Sequence, residues 1–479
     1  MLTSIMSALL VLPLSPVTPD AIPDAVAVDR VVEEYRAGTG LPGAAVAVTH
    51  GTTVVRVAGY GRIPDGTAVS GRTVMAVASV SKSFTALAVM QLVEAGRVRL
   101  DDPVRDHLPE FTMADPRVGR ITVRHLLNQT SGMSDTTFRS FSGPRVETLR
   151  EAVVSMRDAA LAGDPGVEWR YHNPNFQVAA RLVEVVSGEA FADYLRRHVF
   201  EPLGMSDSST ANTERDLPAG ARGHVRVLGR AVPLPEPPAF GNGSGGVLAS
   251  AHDLAAWLIA QNTGTRIATP ESIAATHTRS AGPYGLGWFV GTTGSGAPLV
   301  DHGGDLVTST AYQALLPASG HGIAVMANTG TQYGDAQALG ERLIALLEGR
   351  PFAPVSDPFL PADIVLVTLT AGVVASAVRG VARARRHARR SWLRLLPLSL
   401  PVLLAVTIHR VVGFLYRGRD VSWRQVAYLY PTFTVLLVVT AVAGVVVLVA
   451  RVAHRVGARQ SPALPPVPPG HGFGIDTAP

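Results

Sequence analysis

The sequence predicts an α+β domain over residues 28–350, with a sheet drawn from both ends of that stretch and a membrane region behind it. Three observations carry this. Residues 43–49 (GAAVAVT) and 52–58 (TTVVRVA) are β-rich and meet at His50-Gly51, a hairpin signal. Four further β-type runs, 286–291, 298–302, 309–316 and 321–327, follow one another near the end, with helical patterns filling the distance between the two sets. Residues 426–450 are then 25 consecutive uncharged residues, enough to cross a bilayer as a helix.

Taken in order, residues 5–14 (IMSALLVLPL) form a short apolar run followed by Ala25-Val26-Ala27, which predicts a signal-like leader over 1–27. Residues 83–95 carry Phe84, Leu87, Ala88 and Leu92 at helical spacing, with Gly96 as a stop. Residues 100–110 read as a Pro-bearing loop and 122–133 as a short helix ending at Gly132. Helices are predicted over 147–160, 174–187 and 190–200, the second opening on Pro174, a favoured first helical residue. Residues 229–246 are Gly- and Pro-rich and read as a loop; 250–261 reads as a helix capped by Ser250, and 335–348 as a closing helix. Residues 351–362 form a linker, 363–451 a membrane region of about three helices, and 452–479 a disordered Pro/Gly-rich tail. The first two spans, 364–378 and 395–408, are shorter, and a hairpin or interfacial segment fits them too.

Charge divides the chain in the same place. Residues 358–479 hold 14 Arg against three acidic residues, a net of +11, in a chain whose total is +5, so residues 1–357 stand near −6. The first part therefore has no excess of basic charge suited to nucleic acid. The loop 379–394 carries seven Arg, which by the positive-inside bias puts it in the cytoplasm and the domain before it outside; the three Arg of 417–425 sit awkwardly with that orientation. There is no Cys, which excludes disulfides, thiolate catalysis and cysteine-ligated metals. Neither a zinc-protease helix motif nor a phosphate-binding loop is found, and no metal or organic cofactor is expected.

The chemistry points to Ser79-Val80-Ser81-Lys82. Lys82 is the only lysine; every other basic residue is Arg. Arg is a poor proton acceptor, whereas a Lys whose pKa is depressed can act as a base. Ser79 is expected in the first turn of the 83–95 helix, with Lys82 three residues on and on the same face. A serine next to an unprotonated amine is a recognised form of nucleophilic catalysis. Alone, the pattern fits a capped surface helix equally well.

Two further motifs follow in order. Tyr171-His172-Asn173 has the form Y-x-N, and His302-Gly303-Gly304 the form H-x-G. Singly, Tyr171 reads as an aromatic beside a helix, Asn173 as a cap, and His302 as a turn residue. Together with HLLNQTSGM at 125–133, EPLGMSDSS at 201–209, GGVLASAHDLAAWL at 245–258 and YGLGW at 284–288, they make residues 28–350 resemble the β-lactamase-related serine hydrolases. That family comprises class C β-lactamases, DD-peptidases and related esterases. The resemblance implies an antiparallel sheet flanked by helices with a mostly helical insert. It also implies acyl transfer with Ser79 as nucleophile and Lys82 and Tyr171 sharing proton transfer, the Tyr171 pKa being depressed by Lys82. Asn173 would bond Lys82 and the substrate amide, and His302 would sit across the cleft from Ser79. The oxyanion hole would use the backbone N–H groups of Ser79 and Asp305, beside Gly303 and Gly304. His302 stands where many relatives have Lys, which argues against efficient β-lactam turnover. Asn128 and Gln129 replace the T-H that relatives often carry before T-S-G.

The resulting expectation is a multi-pass cell-membrane serine hydrolase, catalytic domain extracytoplasmic, acting on a small-molecule or peptidoglycan-like substrate with an ester or D-amino-acid-type amide bond. The alternatives are a slowly acylating sensor or wall-fragment binding protein, and a cytoplasmically oriented membrane protein with an unused hydrolase domain.

Overall fold

The structure is a computed structural model that describes residues 24–460, apart from 144, 265, 358, 384–399, 416 and 417. It divides into two compact units: residues through Leu360 together with His409–Pro431, and residues Pro361–Ile408 with those from Thr432 onward.

The first unit is built on a six-stranded antiparallel sheet. Its strands are β1 (Gly43–His50), β2 (Thr53–Gly61), β3 (Phe289–Thr292), β4 (Pro298–Asp305), β5 (Thr310–Leu316) and β6 (His321–Ala327), in the order β2-β1-β6-β5-β4-β3. The N-terminal hairpin thus joins the C-terminal meander through β1 and β6, with Val46 opposite Val325. Strand periodicity of two sorts the side chains. Ala44, Val46 and Val48 face one core with Val325 and Ala327, while Ala45 and Ala47 face the other with Ala324 and Met326. Both faces are covered, so these strands read as continuous apolar runs.

One face is covered by α1 (Ala25–Thr39) and by α5 (Asp335–Leu347). The other carries α2 (Ser81–Glu94), α3 (Pro174–Ser187) and α4 (Ala251–Thr263), with the helical insert around them. Helix α2 is buried nearly all round, Ser81 through Met90 without a break, because it threads between sheet and insert. Phe84 stacks on Trp257 of α4 with ring centroids 3.8 Å apart, and Gln313 of β5 donates to Ser83 Oγ at 2.9 Å. Ser250 caps α4 through the Asp253 N–H, as its position predicts.

The structure departs from the sequence expectations in several places. Ala25-Val26-Ala27 lies in the first turn of α1, whose cap is Asp24, while the rest of the leader lies outside the described residues. The helix expected over 147–160 is limited to Leu149–Val154. The stretch read as a loop over 229–246 contains a strand, Arg230–Leu234, paired with Gly223–Val227. Among the described residues, two helices are long and apolar enough to cross a membrane, α6 (Leu360–Ala382) and α8 (Pro431–Gln460); α7 (Leu400–Leu415) is shorter, and residues 395–399 of the expected second span lie outside the described residues. Helix α8 continues to Gln460, so residues 452–460 of the expected tail are helical, and the rest of that stretch lies outside the described residues.

Candidate active site

Ser79 lies not inside α2 but in a 3₁₀ turn, Ala78–Val80, that leads into it. Ala78 has φ 48°, a left-handed conformation that a residue with a Cβ adopts only under strain. The turn leaves Ser79 partly accessible between two buried neighbours. Strand β4 runs beside it: a Cβ added to Gly304 would stand 2.2 Å from the Val77 carbonyl oxygen and 3.2 Å from the Ser79 nitrogen. Only glycine permits that approach, and it brings the backbone entering Asp305 up to the Ser79 N–H.

One turn on, the Lys82 side chain is wholly buried. Its Nζ lies 2.9 Å from Ser79 Oγ and donates to the Ser244 carbonyl at 2.7 Å. Burial drives the Lys82 pKa well below the ordinary lysine value; the Arg419 cation adds to this and the Asp305 carboxylate opposes it. The Ser244 loop is tied to α2 twice more: Thr85 Oγ1 donates to the Gly243 carbonyl at 2.6 Å, and the Val247 N–H donates to Ser81 Oγ at 2.9 Å. In sequence this loop shows only as the Gly-rich run G-N-G-S-G-G at 241–246, whose composition says nothing of its hold on α2.

The Tyr171 ring lies 4.9 Å from Lys82 Nζ, and its phenol shares a side-chain hydrogen bond with Ser79. Contrary to what the resemblance implies, Lys82 does not depress the Tyr171 pKa. Burial raises it, and the Ser79 hydrogen bond and the Arg419 charge only moderate the rise. Burial thus pushes both groups toward their uncharged forms, amine and phenol.

Asn173 precedes Pro174 at the start of α3, and its Oδ1 is buried without a partner. The expected bond from Asn173 to Lys82 is absent, since the Ser244 carbonyl holds the amine instead. His172, between Tyr171 and Asn173, is fully buried with Nδ1 2.8 Å from Asp135 Oδ1, and its N–H donates to Gln129 Oε1 at 3.0 Å. Gln129 also accepts from Asn175 Nδ2 at 2.6 Å, which gives that position its physical role: it holds the turn that carries Tyr171 and Asn173.

His302 belongs to a buried wall rather than to an open cleft face. Nδ1 donates to the Gly303 carbonyl at 2.6 Å, so Nε2 is left to accept from the Tyr284 hydroxyl at 2.8 Å. Burial, with Lys82 beside it, pushes the imidazole down to about 3. Its ring centroid is 6.2 Å from that of Tyr171, and Phe289 stacks near both. His302 is therefore neutral with both nitrogens engaged, which removes it as an anion-binding cation. Gly303 is open on one side, with only Gln337 Oε1 near the place of a Cβ, at 3.8 Å.

Three contributors were not visible in the motifs: Tyr284, known only from Y-G-L-G-W; Asp135, in the stretch after T-S-G; and Arg419, whose Nε lies 2.8 Å from Asp135 Oδ2.

A partly accessible serine, a buried amine with a lowered pKa and a phenol on an antiparallel sheet flanked by helices make an arrangement suited to acyl transfer. The beta-lactamase family model matches residues 28–347, and the chain belongs to that family. It is 31% identical over 352 residues to penicillin-binding protein 4 of Amycolatopsis lactamdurans, covering 68% of this chain and 91% of that one. It is 26% identical over 428 residues to the protein flp of Staphylococcus aureus, covering 81% of this chain and 83% of that one. Among solved structures it is similar to the octameric penicillin-binding protein homologue from Pyrococcus abyssi, with 27% identity and a TM-score of 0.61, covering 72% of this chain and 81% of that one. At family level the chemistry is hydrolysis through an acyl-enzyme.

Proposed function

We propose that this protein is a membrane-anchored serine hydrolase that forms its acyl-enzyme on Ser79 and cleaves an ester or a D-amino-acid-type amide. The observation that carries the reading is the pairing of Ser79 with the chain's only lysine, 2.9 Å away, buried and with a lowered pKa. Neutral Lys82 takes the Ser79 proton as Oγ attacks the carbonyl. Tyr171, held as a phenol, passes its proton to the leaving group and is re-protonated by the Lys82 ammonium, which restores amine and phenol; water then attacks the acyl-enzyme, giving up a proton through the same pair as Ser79 Oγ regains one. Asn173 Oδ1, buried and unpartnered, accepts from the substrate amide. The backbone N–H groups of Ser79 and Asp305 receive the oxyanion, with Gly303 and Gly304 keeping that side clear.

The two long apolar helices support anchoring, and the Arg-rich stretch 379–394 supports an extracytoplasmic catalytic domain in a multi-pass arrangement. A relative named as a penicillin-binding protein makes a wall-type peptide a reasonable substrate class. The neutral state of His302 argues against efficient β-lactam turnover.

Intact-mass labelling with a fluorophosphonate tests the reading. One adduct on the wild type and none on Ser79→Ala is the expected result; a folded wild type that takes no adduct sinks it. The lifetime of an adduct formed with a β-lactam separates a turning-over hydrolase from a slowly acylating sensor.

A further inference from the structure

We propose that Arg419 is a substrate-binding residue of this site, the guanidinium that recognises a carboxylate on the leaving-group side of the substrate. This rests on the acyl-enzyme reading above and adds the charge of the substrate to it.

The third motif leaves an electrostatic gap. His302 is neutral and hydrogen-bonded at both nitrogens, and the only lysine is wholly buried, its amine held between Ser79 Oγ and the Ser244 carbonyl. Neither can bind an anion. Arg419 lies far away in sequence, beyond α7, yet residues His409–Pro431 belong to the same compact unit as the hydrolase fold.

Its loop is built onto the site rather than resting near it. The Asp420 carboxylate accepts from the N–H groups of Phe141 and Ser142 and from Ser142 Oγ, each at 2.7 Å. The Asp420 N–H donates to Asp135 Oδ2 at 3.3 Å. Gly418 has φ 82°, and a Cβ there would stand 2.7 Å from Thr136 Cγ2, so the backbone makes an approach open only to glycine.

This anchoring aims the Arg419 side chain. Nε lies 2.8 Å from Asp135 Oδ2, and the guanidinium carbon is 5.5 Å from the centroid of the Tyr171 ring, the ring that shares a hydrogen bond with Ser79. Asp135 is 4% exposed but Arg419 is 38% exposed, so one edge of the guanidinium is held while much of the group stays open to solvent. A planar guanidinium fixed at one edge suits a carboxylate at another. Because Tyr171 serves the leaving group, the carboxylate belongs to that portion of the substrate, as in the free C-terminus of a peptide.

The test uses full-length protein in detergent and two thioesters of N-acetyl-D-alanine. One has thioglycolate as leaving group, with a free carboxylate; the other has the same group capped as the carboxamide. Thiol release gives kcat and KM for each. Wild type should prefer the carboxylate, and Arg419→Gln should lower kcat/KM for it about ten- to a hundredfold, mainly through KM, with far less loss on the carboxamide. Arg419→Lys should restore part of the preference. An unchanged ratio, or equal loss on both substrates, would make Arg419 a structural clip for Asp135 and overturn the proposal. Fluorophosphonate labelling of the same samples keeps the two readings apart: an unlabelled, folded wild type sinks the acyl-enzyme itself, whereas labelled protein with no carboxylate preference sinks only the role of Arg419.

Discussion

Lys82 Nζ stands 2.9 Å from Ser79 Oγ, and its other hydrogen-bond partner is the Ser244 carbonyl rather than a carboxylate. A carbonyl does not stabilise an ammonium as a carboxylate would, so burial dominates and holds the amine's pKa well below the ordinary lysine value.

Replacing Lys82 with Arg should therefore abolish proton transfer while keeping a basic side chain. We expect the rate of fluorophosphonate labelling at Ser79 to fall about 10²–10⁴-fold, the range typical of a lost general base. Intact-mass time courses read this. Labelling near the wild-type rate would take Lys82 out of the chemistry.

The buried amine also leaves a signature in stability. Its folded pKa is depressed below the unfolded value near 10.5, so between the two the unfolded chain binds one proton more than the folded chain. Stability should then rise with pH across that window, by up to about 1.4 kcal/mol per pH unit from this one group, and be fully present only above the unfolded value. Lys82→Met should flatten that rise and be more stable than wild type at neutral pH. Denaturant titrations in detergent from pH 6 to about 10 measure it; identical slopes for both proteins would show that Lys82 is charged when folded.

Gly304→Ala should separate fold from activity. The new Cβ meets the Val77 carbonyl oxygen at 2.2 Å, and a backbone atom cannot swing aside as a side chain end can. Strand β4 must move away from the Ser79 turn and take the Asp305 N–H with it. A loss of about 10²–10³ in acylation rate is expected, the usual effect of removing one oxyanion donor. Circular dichroism should stay close to wild type. Full activity would place the oxyanion elsewhere.

Asp135 joins His172, Arg419 and the Asp420 N–H. Burial pushes its pKa up, but the His172 hydrogen bond and the Arg419 charge outweigh that and hold it below the ordinary carboxylate value. Its stabilisation is thus present above the unfolded value near 3.8 and is lost as pH falls through the folded value. Asp135→Asn should cost about 2 kcal/mol at neutral pH. A double-mutant cycle with Arg419→Gln should show a coupling of about 0.5–3 kcal/mol, and additive losses would mean the two residues do not interact.

The sheet was largely legible, because alternating and continuous apolar runs such as GAAVAVT and the four runs from 286 to 327 carry strand periodicity locally. The Ser79, Lys82 and Tyr171 cluster was legible through short motifs whose spacing is local. What escaped depended on long-range contact. The strand Arg230–Leu234 contains Pro233 and pairs only with one short neighbour, so its composition resembles a loop. The rise in the Tyr171 pKa follows from burial, which no motif encodes. Arg419 looked like a charge out of place between apolar segments, and only its approach to Asp135, 284 residues earlier in the chain, gives it a partner.

A chain with one lysine, wholly buried, carries its own reporter. Amine-reactive reagents can modify only Lys82 and the chain's N-terminal amine. In the folded state Lys82 is shielded, so its acylation must wait for the Ser244 loop or the start of α2 to open. The rate at which a small anhydride adds mass at Lys82 therefore counts local openings of the catalytic centre, much as amide exchange counts them for a backbone N–H. A substrate or inhibitor that settles on Ser79 should slow that rate, which turns a single side chain into a clock for how often the site breathes.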